Sequence, residues 1–125
     1  MNANELFNMA REAAKFAYAP YSKVYVGAAI LTKNGKVYTG CNVENSSLGG
    51  TICAERCAAV KAVSEGETEF VKIAVCSNIK GITPCGICRQ FLYEFSCNAE
   101  IITEGEDGNI RCHPIEYFLP EGFRM

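Results

Sequence analysis

The sequence predicts an α/β protein: a three-layer sandwich built around a mixed five-stranded sheet, with elements in the order αββαβαββα. Three observations predict it. Asn34-Gly35 joins two apolar runs, a strong short-range signal of an antiparallel hairpin. Later strands follow helices at 52–64 and 85–95, and strands joined through helices imply parallel crossovers. A helical stretch opens the chain, so both faces of the sheet can be covered.

The elements follow in order. Over residues 3–18, Leu6, Met9, Ala10, Ala13, Ala14 and Ala17 recur at helical spacing, and Pro20 stops the run. Residues 24–32 and 36–43 are the hairpin strands. Asn45 to Gly50 is loop. Thr51 is placed to cap a helix over 52–64, and Gly66 lies just past its end. Residues 70–77 form a third strand, Gly81 to Pro84 a loop, and 85–95 a helix. Residues 99–104 make a fourth strand. Asp107-Gly108 turns the chain into a short fifth, and Pro114 opens a last short helix.

The 125 residues are one domain's worth, expected to span 1–125. Hydrophobic residues make up 49% and charged residues 21%, ordinary for a soluble globular protein. A net charge of −2 offers no basic face, which argues against nucleic acid as a partner. No apolar run reaches the roughly 18 residues of a membrane span. The opening MNANELFNMAREAAKF interrupts its apolar residues with polar and acidic ones, unlike a signal peptide. The expected location is the cytoplasm. There the eight cysteines are thiols or metal ligands before they are disulfides.

Three cysteines stand out by position. Cys53-Ala54-Glu55 opens one helix and Pro84-Cys85-Gly86-Ile87-Cys88 opens another. A helix, a strand and a loop separate them, so two helices start at the same edge of the sheet and their sulfurs converge. Unpaired N–H groups at a helix start lower a thiol's pKa. Three thiolates leave one tetrahedral zinc position open for water, the mark of a catalytic site. Glu55, two residues past a ligand, is placed to move protons beside the metal. Arg56 can offset the excess negative charge by bonding a ligand sulfur. The competing reading is a structural zinc module. It needs a fourth ligand from Cys41, Cys57, Cys76, Cys97, Cys112 or His113, and Cys57 is the best placed. Cys41, Cys76, Cys97 and Cys112 otherwise read as small buried hydrophobes, and His113 as a turn or surface residue.

Five stretches, in order and spacing, resemble the small zinc-dependent cytidine deaminases. They are Ala19-Pro20-Tyr21-Ser22, Val26-Gly27-Ala28-Ala29, Gly40-Cys41-Asn42-Val43-Glu44-Asn45, Ile52-Cys53-Ala54-Glu55-Arg56 and Pro84-Cys85-Gly86-Ile87-Cys88-Arg89-Gln90. The resemblance implies a cytidine deaminase-like fold, a bound Zn2+ and hydrolysis of cytidine or deoxycytidine to uridine or deoxyuridine plus ammonia. It implies Glu55 as proton shuttle, the Ala54 N–H on the ring carbonyl and the Thr83 carbonyl on the amino group. It also implies a homotetramer whose sites are shared between subunits. Asn42 and Glu44, two apart at a strand end, share a face and suit vicinal sugar hydroxyls.

Two positions depart from the family pattern. Val24 stands where an aromatic residue usually packs on the pyrimidine, and Leu48 where a tyrosine is usual. Base stacking is worth about 1–3 kcal/mol in single-strand binding proteins, so Val24 predicts a weaker or broader base pocket. Both keep open a second substrate, a modified cytosine nucleoside such as blasticidin S. In the tail, Phe123 is the family's candidate for reaching a neighbour's site, against the alternative of a frayed terminus.

Overall fold

Strands run in the order β2-β1-β3-β4-β5 in the computed structural model, which describes residues 1–96 and 98–125. The strands are β1 (Val26–Thr32), β2 (Val37–Cys41), β3 (Phe70–Ser77), β4 (Glu100–Glu104) and β5 (Ile110–Pro114). The helices are α1 (Ala3–Ala14), α2 (Ala54–Ser64), α3 (Gly86–Tyr93) and α4 (Ile115–Phe118), with one 3-10 turn at Leu48–Gly50. The expected element order and mixed sheet are both present. Only β3 and β4 pair in parallel; β1 is antiparallel to β2 and β3, and β5 is antiparallel to β4.

Alternation along the strands sorts the core into two layers. Ala28, Ile30, Ile73, Val75 and Ile101 face α2, where Ala54, Ala58, Ala59 and Ala62 are fully buried. Ala29, Ala74, Cys76 and Ile102 face Leu6, Phe7 and Ala10 of α1. The alanine face of α2 therefore packs the core. Close approach is what it allows: a Cβ added at Gly40 on β2 would lie 2.5 Å from the Ala58 nitrogen and 2.8 Å from the Ala54 carbonyl oxygen. Only a glycine admits the helix backbone that near the strand.

Several boundaries differ from expectation, each for a local reason. α1 ends at Ala14, not residue 18, because Tyr18 leaves the helix to pair with Val43. Its start carries a signal the periodicity passes over: Asn2 and Glu5 form a reciprocal capping box. The hairpin turns through the three residues expected between its strands, with Gly35 at φ 86° and its N–H on the Thr32 carbonyl. Thr51 does not cap α2. Ile52 pairs with Val43, so the helix begins later, with Cys53 as its N-cap. Cys76 is buried as expected, but Cys41 is half-buried and Cys112 is exposed, because each lies on an edge strand of the sheet. Cys97 lies outside the described residues. His113 belongs to β5, paired with Ile101, and its ring stacks on Tyr117 at 4.0 Å.

Candidate active site

The topology assembles the site. β2 and β3 are each antiparallel to β1, so they run the same way and leave the sheet at the same edge. The chain after β2 leads to α2 and the chain after β3 leads to α3, so both helix starts lie at that edge. Cys53 is the N-cap of α2, Cys85 is the N-cap of α3, and Cys88 lies in the first turn of α3. Their sulfurs all lie within 4.8 Å of one another, with Cys53 Sγ and Cys85 Sγ 3.9 Å apart.

This donor set fits zinc. Two sulfurs about 2.3 Å from a tetrahedral zinc stand about 3.8 Å apart, which matches the 3.9 Å between Cys53 and Cys85. Among the described residues no fourth Cys, His, Asp or Glu atom joins the group. Cys57, the best fourth ligand for a structural site, lines a separate cavity with Cys41, Met9 and Lys61.

The electrostatics favour one thiolate before any metal arrives. A hydrogen bond from Cys88 and the nearby Arg56 guanidinium bring the Cys53 thiol down to about 5, against the opposing effect of burial. Cys88, which donates to that sulfur and is itself buried, is pushed up. Arg56 Nη2 lies 3.5 Å from Cys53 Sγ and 3.4 Å from the Thr51 carbonyl oxygen, while its Nε is buried with no partner. Glu55 is 5% exposed. Burial, with Cys53 close by, raises its carboxyl to about 7.

Beside the sulfurs is a cavity of about 190 Å³ walled by Val26, Ile52, Ile82 and Thr83, with Asn42, Thr51, Cys53, Ala54, Glu55 and Cys85 completing it. Ala54 is the first residue of α2, so its N–H has no intrahelical partner.

The chain belongs to the cytidine and deoxycytidylate deaminase family. Residues 1–104 match the family's zinc-binding region. A probable cytidine deaminase of Dictyostelium discoideum is 54% identical over 100 residues, covering 76% of this chain and 68% of that one. The cytidine deaminase of Sporosarcina psychrophila is 41% identical, covering 98% of this chain and 92% of that one. Among solved structures, the cytidine deaminase of Burkholderia pseudomallei superposes with a TM-score of 0.91 at 40% identity, covering 98% of this chain and all of that one. The deaminase is thus a zinc-dependent hydrolase by family, and the three-cysteine cluster agrees with that zinc.

The remaining expected site residues are arranged less simply. Asn42 lines the cavity, yet its amide is engaged by backbone: Oδ1 accepts from the Val26 N–H at 2.8 Å and Nδ2 donates to the Val24 carbonyl at 2.7 Å. Glu44 accepts from the N–H groups of Tyr21 and Ser22 and from the Ser22 hydroxyl, which holds its carboxyl below the usual range. Asn42 keeps one Oδ1 lone pair and one Nδ2 N–H for a ligand, and Glu44 keeps one Oε2 lone pair. Val24 is half-buried and does not line the cavity; Val26, two residues on, does. Leu48 is 77% exposed and also stands outside it. The Phe123 ring is exposed, while its backbone is tied to α3 by two hydrogen bonds with the Gln90 amide. The tail is docked on the body of the chain rather than frayed. The wall residues Val26, Ile52 and Ile82 were not predicted; Val26 was within reach, since alternation puts it on the same strand face as Val24.

Proposed function

We propose that the deaminase, acting as one domain over residues 1–125, hydrolyses cytidine and deoxycytidine to uridine and deoxyuridine with release of ammonia. The observation that carries this reading is a cluster of three sulfurs, two of which line a single cavity together with one buried carboxyl. Cys53, Cys85 and Cys88 hold the zinc. When bound, the zinc supplies Lewis acidity that lowers the pKa of a water in its open position.

The chain's own residues do the rest. Glu55 takes a proton from the attacking water and gives it to the ring nitrogen; it then takes the remaining proton of the added hydroxyl and passes it to the departing amine. A carboxyl raised to about 7 suits this exchange in both directions near neutral pH. The Ala54 N–H orients the ring carbonyl and the Thr83 carbonyl accepts from the amino group. Val26, Ile52 and Ile82 exclude water from the base. The free lone pairs and N–H of Asn42 and Glu44 take the sugar hydroxyls. Arg56 holds the Cys53 sulfur and balances the charge of the thiolates. The deaminase works as a homotetramer in the cytoplasm, with the exposed Phe123 ring turned to a neighbouring subunit's site.

The test is ammonia release from cytidine, deoxycytidine and blasticidin S, with zinc measured alongside. The expected result is turnover of the first two at one zinc per chain. Turnover of blasticidin S with none of cytidine overturns the substrate assignment. Glu55→Ala is expected to keep its zinc and lose about 10²–10⁴-fold in kcat; a structural zinc module would show no functional change.

A further inference from the structure

Two asparagines, Asn42 and Asn78, occupy matching places on either side of β1. On one side, β2 ends its pairing at Cys41, and the next residue is Asn42. On the other side, β3 ends its pairing at Ser77, and the next residue is Asn78. Beyond these points the backbone pairing thins to the Asn42 N–H on the Val26 carbonyl at 3.2 Å on one side and the Asn78 N–H on the Tyr25 carbonyl on the other. Side-chain amides continue it. Asn42 takes the Val24 carbonyl and the Val26 N–H. Asn78 takes the alternate groups: its Nδ2 donates to the Lys23 carbonyl at 3.1 Å and its Oδ1 accepts from the Tyr25 N–H at 2.9 Å. The Asn78 N–H also donates to the Tyr25 carbonyl at 3.2 Å.

The segment needs this support. Lys23 has φ 61°, a left-handed conformation that a lysine adopts only when its surroundings hold it. Its carbonyl is the one Asn78 binds. The segment ends in Val26, a wall of the substrate cavity. Movement at Lys23–Tyr25 therefore moves the wall against which the base packs. Asn78 itself is exposed and lines none of that cavity.

We infer that Asn78 is a positioning residue for substrate binding, acting through the Lys23–Val26 segment as the counterpart of Asn42 on the opposite side of the strand. The inference rests on the cavity being the nucleoside site proposed above. Its effect falls on the base wall and leaves the zinc ligands and Glu55 in place. Loss of Asn78 thus weakens substrate binding without slowing the chemical step.

Asn78→Ala and Asn78→Asp, in the full-length zinc-loaded enzyme, test it. Asn78→Asp keeps an acceptor for the Tyr25 N–H and loses the donor to Lys23, so it gives a graded change if the alanine variant does not fold. Two readouts are taken. Amide hydrogen exchange is expected to speed up across residues 23–26 in both variants, more in Asn78→Ala. KM for cytidine is expected to rise about fivefold in Asn78→Ala and less in Asn78→Asp, with kcat and zinc content unchanged. Unchanged exchange in both variants overturns the clamp. Faster exchange with an unchanged KM overturns the positioning role, as does a fall in kcat with KM unmoved. If the parent enzyme binds and turns over no cytidine, the function proposed above fails on its own, and the exchange arm still decides whether Asn78 holds the segment.

Discussion

Among individual residues, Glu55 sets the clearest pH dependence. Its carboxyl is raised from the ordinary 4.5 to about 7 by burial. The folded protein therefore binds this proton more tightly than the unfolded chain does. Stability falls as pH rises from about 4.5 through 7, and the penalty levels off above that at about 3 kcal/mol. Glu55→Gln removes it. In the metal-free protein, urea melts of this variant are expected to show a gain of that size over the parent above pH 7, vanishing below pH 4.5. An equal difference at all pH values would show that Glu55 is not the source. Arg56 makes a second residue-level prediction. Arg56→Ala removes a donor to Cys53, so the Cys53 thiol of the chelated protein should titrate at higher pH, followed by thiolate absorbance. Zinc affinity, read by chelator competition, should fall about 10–100-fold.

The helix starts are the elements on which the site depends. Their placement follows from how closely α2 can lie on β2. In Gly40→Ala, the new Cβ meets the Ala58 nitrogen and the Ala54 carbonyl oxygen and pushes α2 away. The cost should be about 1–3 kcal/mol, the range for overpacked cores. Cys53 caps the same helix, so zinc retention should fall as well. Gly35→Ala is the control. Gly35 has φ 86° with open space around it, so the alanine is strained but meets nothing. Denaturant melts should show a loss of about 1 kcal/mol with kcat and zinc unchanged. The elements were largely legible in the sequence. Helical spacing, the Asn-Gly turn and the glycines placed α1, the hairpin and α2 within a few residues. The start of α2 was not legible, because Thr51 has the right chemistry for a cap and only the pairing of Ile52 with Val43 excludes it.

For the whole molecule, a zinc held by Cys53, Cys85 and Cys88 as proposed would tie the start of α2 to the start of α3, so its removal should loosen both. Chelation is expected to lower Tm, and added zinc to restore it, as binding to the folded state alone requires. A Tm indifferent to chelator would show that the cluster holds no metal. Analytical ultracentrifugation is expected to give four chains per particle. In the assembled enzyme, Phe123→Ala should reduce kcat/KM for cytidine with the tetramer intact, since its ring is exposed while Gln90 holds its backbone.

The sequence by itself determined the chemistry and the fold class. Cys53, Cys85 and Cys88 stood out because a metal site needs particular donor atoms at particular helix positions, and the structure brings those three sulfurs together with the buried Glu55 close by. The tertiary structure decided which face of each residue does the work. Asn42 and Glu44 read as sugar ligands from strand alternation, but folding commits most of their hydrogen bonds to the 20–26 segment. Val24 was expected at the pocket, where Val26 stands, and Asn78 had no local signal. The physical reason is the same in each case. Metal ligation is written in residue type, whereas pocket walls and backbone clamps depend on which strand ends lie side by side, and that is settled only when β2, β1 and β3 come together.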